Sequence, residues 1–192
     1  MIELWIPITV LAAFSQNLRS ALQKHLKSRL STAGATYVRF FYAVPFAFLY
    51  LFILNQFFYL PLPEPNANFI IFGIIGGGTQ IIATALLVYL FSFRNFAVGT
   101  AYSKTETAQT AVFGLIILGD PLTPGAIIGI MISLVGVMAI STARQENGLK
   151  NIIQSLSQKT ALIGLASGAM FGMSAISYRA ASLSLGGEGV VI

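Results

Sequence analysis

"AYSKTETAQTAVFGLIILGD", residues 101–120, places two charges two residues apart, Lys104 and Glu106, in a stretch that is otherwise mostly apolar, small or hydroxylated. The 192-residue chain around it is 56% hydrophobic and only 9% charged, with a mean hydropathy of +0.80. Soluble domains carry roughly a quarter charged residues. This chain therefore reads as a series of helices, each near the length that crosses about 30 Å of hydrocarbon. The two charges need a reason, because they fall at the centre of one of those helices.

Outward from that stretch, apolar helical runs are expected at 2–23, 33–54, 69–92, 95–118, 124–142 and 160–183. The first has a short apolar core, Leu4 to Phe14, with no Lys or Arg before it. It lacks the basic n-region of a cleaved signal peptide and reads as a span. "NQFFYLPLPEPNAN" (55–68) holds three prolines and makes a surface loop. "GDPLTPG" (119–125) is a tight hairpin, and "ARQENGLKNIIQSLSQK" (143–159) a polar linker.

Positive charge sorts by side. Arg19, Lys24, Lys27, Arg29 and Arg39 flank the first connection, Arg94 lies in the third, and Arg144, Lys150 and Lys159 in the fifth. The N-terminus and the second and fourth connections carry Glu3, Glu64 and Asp120 instead. By the positive-inside rule the odd connections are cytoplasmic and the N-terminus is outside. The net charge of +5 is thus topological. No basic, aromatic-interleaved surface accompanies it, so nucleic acid is not an expected partner.

Enzymatic chemistry finds little support. The chain has no cysteine, hence no disulfide and no thiolate metal site. Its one histidine, His25, sits in the basic run "LQKHLKSRL" without an orienting third group for a Ser–His pair. HExxH, P-loop and GxGxxG patterns are missing from the sequence. No catalytic residue, metal or cofactor is expected.

A charge at the centre of a span costs about 2.5–3.5 kcal/mol on insertion scales, whereas each Val, Ile, Leu or Phe returns about 0.3–0.6 kcal/mol. The fourth run has eight such residues, so the sums nearly cancel before its hydroxyls and amides are counted. Such a helix must be surrounded by protein or line a wet cavity. Two residues apart, Lys104 and Glu106 point about 200° away from each other on a regular helix, and each needs a partner elsewhere. Glu106 shares a face with Tyr102 and Gln109, and its visible partners are Arg19 and Arg39, which could equally snorkel to the surface. Lys104 is either neutral, paired with Glu106 after a helix distortion, or open to an anionic solute group. Gln80 and Thr84, one turn apart in the third run, add a polar pair, as do Ser167, Ser174 and Ser177 with Tyr178 in the sixth.

Small residues recur at helical spacing: Gly73-x-x-x-Gly77, Gly125-x-x-x-Gly129 and Gly164-x-x-x-Gly168-x-x-x-Gly172. Such rows let helix backbones approach in lipid. Gly76-Gly77-Gly78 weakens the third run at one place, where the helix either packs tightly or breaks to line a cavity.

With these residues in hand, "TETAQTAVFGLIILGDPLTPGAIIGIMISLVGVMAIS" (105–141) resembles the end of an EamA-type repeat of the drug/metabolite transporter superfamily. The resemblance rests on Glu106, the small run Thr107 to Ala111, Leu118-Gly119-Asp120, Leu122-Thr123, Gly129 and Gly136-Val137. "VRFFYAVPF" with Arg39 is similar to the family's second helix, and "AAFSQNLRSALQK" to its first, with Phe14 where Trp is common. "ASGAMFGMSAISYR" (166–179) echoes residues 9–22 in register at Ala12/Ala169, Phe14/Phe171 and Ser20/Ser177.

The resemblance implies an all-α polytopic membrane protein of ten helices in two inverted five-helix repeats around a central cavity. Here that becomes a first repeat (1–142), a linker (143–159) and the first helix of a second, inverted repeat (160–192), the truncated form of a ten-helix bundle. A complete chain of this length would have to form a homodimer to enclose a path. The family arrangement puts the N-terminus inside; the charge pattern puts it outside. The expected function is secondary transport of a small polar metabolite, an amino acid or organic anion, by alternating access in a bacterial inner membrane, with a coupling proton. Substrate contacts are expected from Glu106, Lys104, Gln109, Gln80, Tyr102, Arg19 and Arg39. The competing expectation is a non-transporting scaffold subunit whose intramembrane charges bind a partner.

Overall fold

The computed structural model describes residues 5–59, 63–93, 96–143 and 159–185. Among them the regular elements are all helical. Internal contacts divide the chain into two compact units, one within residues 1–60 and the other within 61–188. The linker residues 144–158, and with them Arg144, Lys150 and Glu146, lie outside the described residues, as do Glu3, Arg94 and Glu188.

The first unit holds α1 (Trp5–Lys27), α2 (Thr32–Phe41) and α3 (Ala43–Phe57). The first helix runs on past the expected end at 23, taking in Lys24, His25 and Lys27; lysine cations favour a helix C-terminus. Ser31 caps α2 by accepting from the Gly34 N–H at 3.1 Å. The second expected span is bent into α2 and α3 at Tyr42. Pro45 explains the bend: it has no N–H to give the Phe41 carbonyl, and its ring crowds that oxygen. The ladder stays intact up to Tyr42, whose N–H still reaches the Val38 carbonyl at 3.3 Å. Taken together, Thr32–Phe57 is long and apolar enough to cross a membrane.

The second unit is assembled on one helix. It comprises α4 (Ala67–Leu90), α5 (Phe96–Ser103), α6 (Glu106–Phe113) with a π-helical turn Gly114–Leu118, α7 (Pro124–Ala143) and α8 (Lys159–Ser184). The last of these, α8, is packed against α4 on one side and α5–α6 on another. Against α4 it runs antiparallel, with Ser167 Oγ donating to the Ala83 carbonyl at 2.9 Å and Ser174 Oγ to that of Gly76 at 2.8 Å. The Asn66 side chain caps α4 by accepting from the Phe69 N–H, and it also donates to the Ser184 carbonyl at the end of α8. Ser167 and Ser174 thus serve as interhelical hydrogen-bond donors.

Helix α4 is continuous, so Gly76-Gly77-Gly78 does not break it. Three glycines cost helix propensity, about 1 kcal/mol each. In lipid, freed backbone groups cost several times that. Gly76 is moreover used: the Tyr178 ring of α8 lies where a Cβ would come within 3.0 Å. The interruption falls in the fourth span instead, between α5 and α6 at Lys104 and Thr105.

Neither Gly nor Pro stands there. The hydroxyls of Ser103 and Thr105 bond to the carbonyls of Thr100 and Tyr102 at 2.8 and 2.7 Å. The N–H groups of Lys104 and Thr105 turn to carbonyls three residues back, those of Ala101 and Tyr102. Local hydroxyl bonds and a tightened turn thus replace the α-helical ladder.

Candidate functional site

The glycine row of α8 lies along this broken span. A Cβ on Gly164 would collide with the Gly99 carbonyl of α5. One turn on, a Cβ on Gly168 would stand 2.9 Å from the Ser103 oxygen and 3.3 Å from the Glu106 nitrogen. Another turn on, one on Gly172 would stand 3.0 Å from Thr110 Oγ1. Gly168 therefore touches both the last residue of α5 and the first of α6, on either side of the two-residue turn. The interruption is held by close backbone packing. By contrast, Gly73, Gly125 and Gly129, which share the same spacing in sequence, have nothing within 4 Å of a built Cβ among the described residues.

Lys104 sits in the turn and is exposed; Glu106 opens α6 and is half-buried. They make no ion pair with one another. The distortion that could have joined them carries Lys104 outward. Arg19 and Arg39 belong to the first unit, where Arg19 is exposed and Arg39 lies over the Phe40 ring at 5.2 Å. Gln80 is half-buried on α4 and lies away from the cavity described next.

Tyr102 and Gln109, two of the expected residues, do converge. They line a cavity of about 280 Å³ with Thr105, Ala108, Leu134 and Val137 of α7, and Leu165 of α8. Tyr102 is only 3% exposed. The Gln109 amide Nε2 donates to Thr105 Oγ1 at 3.0 Å and to the Leu165 carbonyl at 3.4 Å. Its Oε1 is buried and has no hydrogen-bond partner among the described residues. The Thr84 hydroxyl on α4 is in the same state. No cluster of metal-ligating side chains occurs among the described residues.

One residue pair was not anticipated. The Arg179 guanidinium grips the Asp120 carboxylate with both of its terminal nitrogens, joining the far end of α8 to the hairpin before α7. Gly119, with φ of +71°, turns the chain so that Asp120 can reach back, its N–H meeting the Gly114 carbonyl at 3.2 Å. A signal existed: Arg179 lies toward the end of the sixth span, away from the basic connections, and Asp120 is an acid at that same end.

The sequence matches the EamA-like transporter family over residues 3–142. No curated protein and no solved structure is significantly similar to the chain. Among the described residues three helical stretches are long and apolar enough to span a bilayer, Thr32–Phe57, Ala67–Leu90 and Lys159–Ser184, with Pro124–Val137 a shorter apolar one. Family and helices agree: the chain belongs to the EamA-like transporter family, and it is an integral membrane transporter of the drug/metabolite type.

Proposed function

We propose that the chain carries a small polar solute across a bacterial inner membrane by alternating access, with the break between α5 and α6 as its binding region. One observation carries this: the fourth span is interrupted near its midpoint, beside an exposed lysine and a half-buried glutamate. Non-helical backbone at membrane depth is tolerated only inside protein or along a water-filled path. Ionisable groups there are a functional hypothesis by default. In this reading Lys104 draws a carboxylate or another anionic group, Glu106 carries the coupling proton, and Tyr102 and Gln109 hold the solute body. Gln80, half-buried on α4, adds a further solute contact in this reading.

The chain has no cysteine, so a single one reports without background. Thr107, exposed on the first turn of α6, is the place for it. Labelling of Thr107→Cys in intact cells by a membrane-impermeant maleimide, blocked by added amino or organic acids, is the expected result. Absence of labelling from both membrane sides would favour a scaffold subunit whose charges are sealed against a partner.

A further inference from the structure

The turn between α1 and α2 gathers charge of one sign. Lys24, His25, Lys27 and Arg29 fall within six residues, and the sequence holds no Asp or Glu from residue 5 to residue 59. Lys24, His25 and Arg29 are exposed, and Lys27 is half-buried. The turn itself is tightly closed. The Ser28 hydroxyl donates to the His25 carbonyl at 2.7 Å, and the Leu30 N–H to that of Leu26 at 2.8 Å. The cations are thereby held at one end of α1, where the N-terminus of α2 adds its own positive partial charge.

An apolar track leads up to them. Leu11, Phe14, Leu18 and Leu22 recur at helical spacing on α1, and all four are exposed. From Leu11 to Leu22 the helix rises about 16 Å. That is close to half of the roughly 30 Å hydrocarbon core, the depth of one leaflet. His25 continues the same face into the basic turn. Length, polarity and charge together match a single phospholipid, with acyl chains beside the leucines and a phosphodiester at the turn. A free phosphate would use only the charged end.

We infer that α1 and the α1–α2 turn form a binding surface for phospholipids with a net negative headgroup, which it holds in preference to zwitterionic ones. The side of the membrane agrees. The positive-inside rule assigns this connection to the cytoplasm, and the cytoplasmic leaflet carries the anionic lipids. Each Lys or Arg close to such lipids contributes about a fivefold factor in association.

Titrating phosphatidylglycerol or phosphatidylcholine into the detergent-solubilised full chain, with bound lipid counted by native mass spectrometry, reads this preference directly. The wild-type chain should bind the former about 25-fold more tightly, the factor that two cations supply. Lys27→Gln with Arg29→Gln should remove that preference, and the charge-keeping pair Lys27→Arg with Arg29→Lys should retain it. Should the double variant insert poorly, Arg29→Gln alone should lower the preference about fivefold. Lys159→Gln removes a cation from the start of α8, in the other unit, and should change nothing. An equal loss there would show diffuse surface charge and overturn the site at the turn. Inorganic phosphate at matched ionic strength should leave the lipid in place; displacement by it would overturn the lipid as occupant in favour of a free anion. Equal binding of the two lipids by the wild-type chain would overturn the inference outright.

Discussion

Gly168→Ala is the substitution that weighs most on this architecture. The added methyl would lie 2.9 Å from the Ser103 carbonyl oxygen and 3.3 Å from the Glu106 nitrogen, both backbone atoms on either side of the break. Ordinary contacts there are about 3.4 Å or longer, and backbone cannot rotate aside as a side chain can, so α8 must move away from the fourth span. Inserting a methyl group into a packed site of this kind costs about 1–3 kcal/mol. Alanine also recovers about 0.5–1 kcal/mol of helix propensity over glycine. A matched control removes that gain: Gly129→Ala on α7 has the same propensity benefit and meets nothing within 4 Å among the described residues. The difference between the two variants therefore isolates the collision. At about 2–4 °C per kcal/mol for a chain of this size, Gly168→Ala should melt about 2–12 °C below Gly129→Ala. Thermal unfolding of the detergent-solubilised chain, followed by size-exclusion fluorescence, measures this. Equal melting temperatures for the two variants would refute the close approach of α8 to the broken span.

The Arg179–Asp120 pair predicts a charge-swap result: Arg179→Asp and Asp120→Arg should each destabilise the chain, and the double variant should recover about 0.5–1 kcal/mol of that loss in a double-mutant cycle, the scale of a partly exposed pair. Removing the hydroxyl in Ser174→Ala deletes the bond to the Gly76 carbonyl and should cost about 0.6 kcal/mol, the average for interhelical bonds in membranes, measurable by denaturant titration in mixed micelles. Pro45→Ala should straighten the bend at Tyr42, which spin-label distances between positions 34 and 55 would register as a longer separation. In proteoliposomes, Glu106→Gln should abolish solute uptake driven by a pH gradient while leaving solute exchange in place; uptake that still follows the gradient would remove Glu106 from the proton path.

Sequence alone determined that the chain lives in the membrane, roughly where its helices lie, and that its fourth helix cannot sit alone in lipid. These follow from composition, from the run length needed to cross hydrocarbon, and from the cost of two central charges, all properties of a segment by itself. The EamA resemblance was legible for the same reason, in the local pattern from Glu106 to Gly136-Val137, and the family match covers it. Tertiary structure decided what depends on neighbours. Gly76-Gly77-Gly78 looked like the weak point, yet α4 runs through it unbroken, with the Tyr178 ring and Ser174 hydroxyl of α8 against Gly76. The break fell at Lys104 and Thr105, where Ser103 and Thr105 turn their hydroxyls onto the chain and Gly168 admits both of its ends. Of three glycine rows with identical spacing, contact with α8's partners singled out one, because spacing states which residues share a face and only packing states what that face meets. The pairing of Arg179 with Asp120, 59 residues apart, and the bare oxygen of Gln109 belong to the same class. A hydrogen bond made or left unmade across helices is a relation between segments, and the fold is what supplies the second one.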